Sequence, residues 1–181
     1  AYAADSNYPS VVSDGSGGVY VMWSNTTNNY IQRFNSSGTA VWGEDKLIAD
    51  RAVINTTTNI KKSRAVHSDG SITVTWYDVR TGTRQVYGQR FDQNGNALWT
   101  ENGLALTSGA AVSTYSRLTN IPGSDLSYLS WMVGSSAYLS KLDTSGNHVW
   151  GSPFQITANG SMEEIVVDAN ENIYIASQVD T

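Results

Sequence analysis

The chain lacks cysteine, and it has only two histidines and three prolines among its 181 residues. The missing cysteine excludes disulfides and thiolate chemistry. Positive charge is also scarce, because 11 Lys and Arg stand against 16 Asp and Glu and leave a net charge of −5. This balance argues against a nucleic acid as partner. No apolar run approaches the length that spans a membrane, and no window has convincing helical periodicity.

A short sequence pattern recurs three times with the same spacing. Each copy has a large apolar residue, a glycine four positions later and a tryptophan four positions after that. The copies are Phe34, Gly38 and Trp42; Phe91, Gly95 and Trp99; and Leu142, Gly146 and Trp150. Upstream of each copy, a further tryptophan ends an alternating apolar run, at Trp23, Trp76 and Trp131. A period of about fifty residues indicates a repeat protein.

The repeats divide a single domain, residues 1–181, into three full units and one partial unit. Their approximate limits are 8–57, 58–113, 114–160 and 161–181. Each full repeat predicts four strands, and in the second repeat these are 64–67, 72–77, 85–91 and the segment 97–99 that leads to 104–106. Alternating Val, Ile, Tyr and Trp, bounded by Asn-Gly and Ser-Gly steps, is typical of strands joined by hairpins. The sequence therefore predicts an all-β fold of four-stranded antiparallel sheets.

Four strands in about fifty residues is the plan of a β-propeller blade. The segments VVSDGSGGVYVMW, QVYGQRFDQNGNALW and IVVDANENIYIA resemble the blades of secreted bacterial β-propeller-like repeat proteins, and more loosely the Asp-box hairpins of sialidase-like propellers. Ser68, Asp69 and Gly70 followed by Trp76 depart from the Asp-box spacing, so sialidase activity is not carried over. The resemblance implies three full blades and a partial fourth in an extracellular or cell-surface protein.

The two ends of the chain leave two architectures open. Residues 1–7 resemble the outer strand of a blade, and residues 165–176 supply only the first two strands of a fourth. In a closed four-bladed ring, the segment from Ala1 to Ala4 would complete the fourth blade. In an open array, another chain would cover the two unpaired strands, which are otherwise an aggregation hazard. The second architecture is slightly favoured, because four blades seldom close on three and a half repeats.

The recurring residues are predicted to hold the fold together. A tryptophan that returns in every repeat is more typical of packing between blades than of a platform for sugar rings. The six tryptophans, above all Trp23, Trp76 and Trp131, are therefore expected in the core. Gly38, Gly95 and Gly146 are expected at positive φ in hairpin turns.

The tyrosines look less regular than the tryptophans and lie in or near predicted loops. They are therefore the candidates for a binding surface: Tyr30, Tyr77, Tyr87, Tyr115 and Tyr138. After Tyr77, the polar insertion from Asp78 to Arg80 has no counterpart in the other repeats. The favoured interpretation is a local ion pair that braces a long loop, and the alternative is part of a ligand site.

Two segments imitate the beginning of a calcium loop: Asp92, Asn94 and Asn96, and Asp168, Asn170 and Asn172. Neither continues with the later glycine and bidentate glutamate of such a loop, and both stand where a hairpin is needed. We therefore predict turns, with no metal site and no cofactor. His67 and His148 are isolated and the five glutamates are scattered, so the sequence indicates no catalytic constellation.

These observations favour a non-enzymatic binding or scaffolding module at a cell surface, with a glycan or a protein as ligand. Two alternatives remain. One is a glycan-cleaving enzyme whose catalytic groups lie on blades outside this chain. The other is a structural subunit that assembles with its own copies or with another surface protein.

Overall fold

A computed structural model describes residues 7–25, 28–50, 63–110, 112–157 and 161–178. These residues form fourteen strands in four antiparallel sheets and contain no α-helix. Three of the sheets have four strands and the last has two. Helical segments that could cross a membrane are thus missing from the described ranges. The all-β prediction and the half-sized fourth sheet are confirmed.

The strands follow one another in space in the order of the sequence. The first sheet contains β1 (Asn7–Ser13), β2 (Val19–Ser24), β3 (Asn29–Phe34) and β4 (Lys46–Ala49). The second contains β5 (Arg64–Val66), β6 (Ile72–Asp78), β7 (Gln85–Phe91) and β8 (Leu104–Ala105). The third contains β9 (Val112–Asn120), β10 (Ser127–Val133), β11 (Ser136–Leu142) and β12 (Phe154–Thr157). The fourth contains β13 (Ser161–Val167) and β14 (Ile173–Gln178).

The predicted strand at 97–99 is wrong. Ala97 makes only an isolated bridge to Phe91, and the outer strand of the second sheet begins at Leu104. The side chain of Gln89 explains the difference, because its Oε1 accepts the backbone N–H of Trp99 and its Nε2 donates to the carbonyl of Thr100. The side-chain amide therefore takes the hydrogen bonds that a neighbouring strand would otherwise make.

The sheets stack face to face, and each junction has its own apolar core. The front face of a sheet is defined here as the face that carries Trp23, Trp76 or Trp131, and the back face is the opposite one. The back face of the first sheet, with Tyr20 and Met22, packs against the front face of the second, with Val74 and Trp76. Two further cores repeat this arrangement between the second and third sheets and between the third and fourth.

The two ends of the stack have uncovered apolar residues. Val166 and Tyr174 pair across the back face of the fourth sheet and are 55% and 58% exposed. On the front face of the first sheet, Val11 is 57% exposed. Among the described residues, no strand pairing joins the fourth sheet to the first. The segment from Ala1 to Ala4, which would complete the fourth blade in the closed-ring alternative, lies outside the described residues.

The prediction for the recurring residues is confirmed for most of them. Trp23, Trp76, Trp131 and Trp42 are buried, and Gly38, Gly95 and Gly146 have φ between 77° and 83°. The prediction fails at Trp150, which is 43% exposed, while Trp99 is half-buried. The cause of this difference lies in the contacts that each tryptophan makes with the following repeat.

Candidate functional site

Two kinds of hairpin turn lie at the same end of the strands, and this end of each sheet is called the turn edge here. The first kind joins the first two strands of each sheet, and the second kind follows the third strand. Most of these turns are built around an aspartate or asparagine whose side chain accepts backbone N–H groups. In the second repeat, Asp92 Oδ1 accepts the N–H groups of Asn94 and Asn96 at 2.8 Å each, and Oδ2 accepts the side-chain amide of Asn96.

These turn contacts confirm the hairpin interpretation of the calcium-like segments. Asp168 accepts the same set of groups from Asn170 and Asn172. Burial acts to raise the pKa of Asp92, but the hydrogen bonds from Asn96 and Asn94 outweigh it and lower that pKa. The carboxylate oxygens are thus committed to the turn. The described ranges contain no group of three or more His, Asp and Glu that could hold a metal ion.

An ion pair at the turn edge ties together the first repeat. Asp14 is buried, and its Oδ2 accepts Arg33 Nε and Nη2 at 3.0 and 2.8 Å. Its Oδ1 accepts the backbone N–H groups of Ser16 and Gly18. Burial acts to raise the pKa of Asp14, but these hydrogen bonds outweigh it and lower the pKa to about 2. The carboxylate therefore stays charged and has its acceptor sites filled.

The equivalent arginine in the second repeat reaches across to the third. Arg90 is only 1% exposed. Its Nε donates to Ser71 Oγ, its Nη2 donates to Asp69 Oδ2 at 2.9 Å, and its Nη1 donates to the carbonyl of Asp125 at 3.0 Å. A buried guanidinium with partners on two repeats fixes their relative position. Neither sequence spacing nor charge pattern pointed to this role.

A cleft of about 600 Å³ opens between these turns; it is called the turn cleft here. Its walls come from 12–16, from 64–70, and from Arg33, Gln93, Asn120 and Gly123. Hydrogen bonds within and between repeats fix these walls, since Gln93 Nε2 donates to the carbonyl of Asp69 in its own repeat and the Tyr20 hydroxyl of the first repeat donates to the carbonyl of Gly70. The turn cleft was not predicted, because it depends on how three repeats dock.

His67 lies buried in the wall of the turn cleft, with its Nε2 2.8 Å from Thr73 Oγ1. Burial, helped by the positive charge of Arg90, lowers the pKa of His67 to about 4. The imidazole is therefore neutral at neutral pH. A general acid must be protonated at the pH where it acts, and a histidine with this pKa is not protonated at neutral pH.

The binding residues predicted from the sequence lie at the opposite edge of the sheets. Asp78 is buried, its Oδ2 accepts Arg80 Nε at 2.6 Å, and Arg80 also donates to the carbonyl of Asn102. The Arg80 guanidinium lies 4.1 Å from the centre of the Tyr87 ring. The favoured interpretation, a local ion pair that braces the loop, is what these contacts describe. Tyr77 is half-buried beside Arg84.

The expected irregularity of the tyrosines is wrong for three of them. Tyr30, Tyr87 and Tyr138 lie in strands, each directly opposite the first tryptophan of its repeat. The three aromatic pairs are stacked, with ring centres 5.9 to 6.5 Å apart. These tyrosines therefore occupy one repeated structural position, and the predicted binding role of Tyr30 and Tyr138 has no further support from their contacts. The side chain of Tyr115 lies outside the described part of the chain.

The later tryptophans hold one repeat against the next. Trp42 Nε1 donates to the carbonyl of Gln93 at 2.9 Å, and Trp99 Nε1 donates to that of Thr144 at 2.9 Å. A Cβ atom on Gly95 would lie 2.7 Å from Trp42, and one on Gly146 would lie 2.6 Å from Leu104. Gly95 and Gly146 therefore serve two needs, positive φ and close contact with the preceding repeat, whereas Gly38 serves only the first. Sequence alone gave only the first.

Five aspartates among the described residues have a pKa that departs from its ordinary value, and in each of them it is lowered. Hydrogen bonds lower the pKa of Asp14, Asp69, Asp92, Asp143 and Asp168 against the effect of burial where that applies. A glycosidase needs one carboxyl group whose pKa is raised. None of these five has that property. A scan of the chain against protein-family models gives no match, and a search of curated proteins gives none either. The geometry of the turn cleft is therefore the basis for assigning a function.

Proposed function

We propose that the four sheets are blades of a β-propeller and that the protein is a non-enzymatic binding or scaffolding module at a cell surface. The antiparallel strand order and the stacking of sheets face to face support the blade assignment. The acidic composition, rich in Asn, Ser and Thr, supports an extracellular setting. The cleft at the turn edge supports binding as the activity.

The single observation that carries this proposal is the fixed geometry of the turn cleft. Asp14 and Arg33 hold each other, and Arg33 Nη1 also lies 3.4 Å from the carbonyl of Gln93 in the next repeat. Asp69 is held by Arg90 at 2.9 Å. Because these side chains are fixed before a ligand arrives, a ligand loses little free energy in ordering them. A preformed concave site with a few fixed polar groups is typical of ligand binding.

The lining of the turn cleft favours a glycan as ligand. Guanidinium donors from Arg33 and Arg64 lie among carboxylate, amide and hydroxyl groups such as Asp69, Asn120 and Ser68. Sugar hydroxyls both donate and accept hydrogen bonds, so they match such a mixed surface. A polar peptide is the other ligand class that this lining accommodates.

The test is a calorimetric titration of the full chain with a panel of neutral and acidic oligosaccharides, which measures the affinity for each. Arg64 lines the cleft, so Arg64→Ala should weaken binding at least tenfold. Arg84, which lies beside Tyr77 at the opposite edge, provides the matched control, and Arg84→Ala should leave the affinity unchanged. Thermal unfolding of both variants checks that they fold.

Three results would contradict the proposal. Equal affinity of the Arg64 and Arg84 variants would place glycan binding elsewhere, and binding of peptides without binding of any glycan would change the ligand class. The recovered oligosaccharides should also be intact by mass spectrometry. A shortened product would make the protein a glycan-cleaving enzyme.

A further inference from the structure

A second cleft lies at the turn edge, between the second and third repeats. It has a volume of about 510 Å³ and is called the tryptophan cleft here. Trp99 and Leu104 from the second repeat and Thr144 and Ser145 from the third are among the residues that line it. Asp69 lines both this cleft and the turn cleft. The two clefts are therefore neighbours that share one carboxylate.

The tryptophan cleft is open because a smaller side chain stands beside its indole than at the first junction. There, the ring of Trp42 lies 5.8 Å from that of Tyr20, and Trp42 is 3% exposed. In the second repeat, Thr73 holds the sequence position of Tyr20, and its hydroxyl is bonded to His67. Trp99, the equivalent of Trp42, is accordingly half-buried and lines the cleft.

Fixed polar groups share the cleft with this indole. Arg90 lines it although this residue is only 1% exposed, and its Nη2 donates to Asp69 Oδ2 at 2.9 Å. Asp69 Oδ1 accepts the backbone N–H and the hydroxyl of Ser71. These bonds occupy three of the about four lone-pair sites of the carboxylate, and the Asp69 side chain is 43% exposed. Asp69 can therefore accept one more hydrogen bond from a ligand.

This combination of groups matches a sugar ring. The face of an indole covers the apolar C–H face of a pyranose, and polar groups around the ring bind its hydroxyls. In the tryptophan cleft, Asp69 is a fixed acceptor, and the hydroxyls of Thr100, Thr144 and Ser145 can both donate and accept. A concave site with an apolar wall and a few placed polar groups is typical of small-ligand binding.

We propose that the tryptophan cleft is a second sugar subsite, in which a pyranose ring stacks on Trp99 and donates a hydrogen bond from a hydroxyl to Asp69. The proposal rests on the glycan binding proposed for the turn cleft and adds the length of the ligand. Since Asp69 lines both clefts, a glycan in the turn cleft passes this carboxylate and continues onto the indole. The ligand is then an oligosaccharide, and its affinity rises with chain length until both clefts are filled.

The probes are neutral cello-oligosaccharides and acidic oligogalacturonides of one to six sugars, titrated into the full chain by calorimetry. In the series that binds, the hexasaccharide should bind at least tenfold more tightly than the disaccharide. The chain has six indole N–H groups, and ¹H–¹⁵N NMR spectra follow each of them. The Trp99 signal, identified by its absence from Trp99→Phe, should shift with the hexasaccharide and stay in place with the disaccharide.

One substitution narrows the tryptophan cleft at a residue that does not line the turn cleft. Ser145 is exposed in a turn, with its N–H on Asp143 Oδ1 at 2.8 Å, and Ser145→Leu puts a larger side chain into the cleft. It should weaken hexasaccharide binding at least tenfold and disaccharide binding less than twofold. Asn94 has the same turn position and the same 2.8 Å bond, to Asp92, but lines neither cleft. Asn94→Leu is therefore the matched control and should bind like the wild type.

Thermal unfolding checks that both variants fold. If Ser145→Leu does not fold, Leu98→Ala is the second variant, because Leu98 lines the tryptophan cleft and is 50% exposed. It should also weaken hexasaccharide binding more than disaccharide binding.

Two results would overturn this proposal and leave glycan binding in the turn cleft standing. The first is a hexasaccharide that loses affinity in Arg64→Ala and keeps it in Ser145→Leu and Leu98→Ala, since the glycan would then be confined to the turn cleft. The second is a disaccharide that binds as tightly as the hexasaccharide, since the second cleft would then add nothing. Absence of binding by either series at millimolar concentration would overturn both proposals.

Discussion

The first junction and the end of the third sheet contain the same residue in two different environments. Trp42 is 3% exposed and its indole N–H is bonded to the next repeat, whereas Trp150 is 43% exposed. Gly95 is buried under Trp42, whereas Gly38 has no atom within 4 Å of the place of a Cβ. The comparison shows that each recurring residue is half of a contact. The other half belongs to the neighbouring repeat, which decides whether the residue is buried.

The largest difference is expected between the two tryptophans themselves. Trp42→Ala should lower the free energy of unfolding by about 3 to 5 kcal/mol, because it leaves a cavity between two sheets. Trp150→Ala should lower it by only about 1 kcal/mol, because much less apolar surface is lost. Urea unfolding followed by circular dichroism measures both. Equal losses would mean that Trp150 is covered in solution.

The two glycines separate backbone strain from packing. Gly38 and Gly95 have φ of 77° and 83°, so alanine at either position should cost about 1 kcal/mol in strain. At Gly95 the new Cβ would also collide with Trp42, which adds about 1 to 3 kcal/mol. The same unfolding assay should therefore rank Gly95→Ala well below Gly38→Ala. Similar values would show that Trp42 moves away without cost.

Acidification should lower the free energy of unfolding through His67 in the second repeat before it acts through Asp168 in the fourth sheet. His67 has its pKa lowered from 6.5 to about 4 by burial and by Arg90, so the unfolded state binds the proton more strongly. Stability is then complete above pH 6.5 and falls by up to about 3 kcal/mol between pH 6.5 and 4. At the equivalent turn position, hydrogen bonds from Asn172 lower the pKa of Asp168, so that group responds only at lower pH.

The measurement for this prediction is the free energy of unfolding of the wild type and His67→Gln from pH 7 to 4. The variant should lose the part of the slope that His67 causes. Parallel curves for the two proteins would show that His67 does not titrate as its buried position requires.

The smallest effect on stability is expected at Glu171, in the turn of the fourth sheet. Glu171 has φ of 62° at the turn position where the hairpins after β7 and β11 have glycine. Glu171→Gly relieves this strain and loses an ion pair with Lys141 at 2.9 Å, in which Glu171 is half exposed. The net gain should be up to about 1 kcal/mol. A clear loss of stability would mean that the ion pair holds the fourth sheet in place.

Periodic residues made most of the fold predictable. Alternating Val, Ile and Tyr, with Asn-Gly or Ser-Gly steps between them, report local geometry, so the strands 72–77 and 85–91 and the positive φ of Gly95 were foreseeable. The segment 97–99 was not, because the side chain of Gln89 competes for its backbone groups. Such competition depends on side-chain position and leaves no period in the sequence.

The binding surfaces were harder to foresee for a related reason. Tyr30 and Tyr138 each follow their tryptophan by seven residues, but the longer loop before Tyr87 makes its spacing eleven and hides the repeat, although strand register puts all three in stacked pairs. The turn cleft joins residues from three repeats, such as Asp14, Arg64 and Asn120. Contacts between repeats depend on how sheets dock, and a single sequence carries no direct record of that.

The forward direction of the indole hydrogen bonds has a consequence for how the chain opens. Trp42 donates to the second hairpin and Trp99 to the third, so the outer half of each sheet is held from the side of its successor. Nearest-neighbour coupling of this kind makes a stack lose order progressively from its least anchored end. Here that end is the two-stranded sheet beside Trp150. Local unfolding should therefore begin at β14 and spread toward β1, and the hydrogen bonds of the tryptophans set the direction in which it spreads.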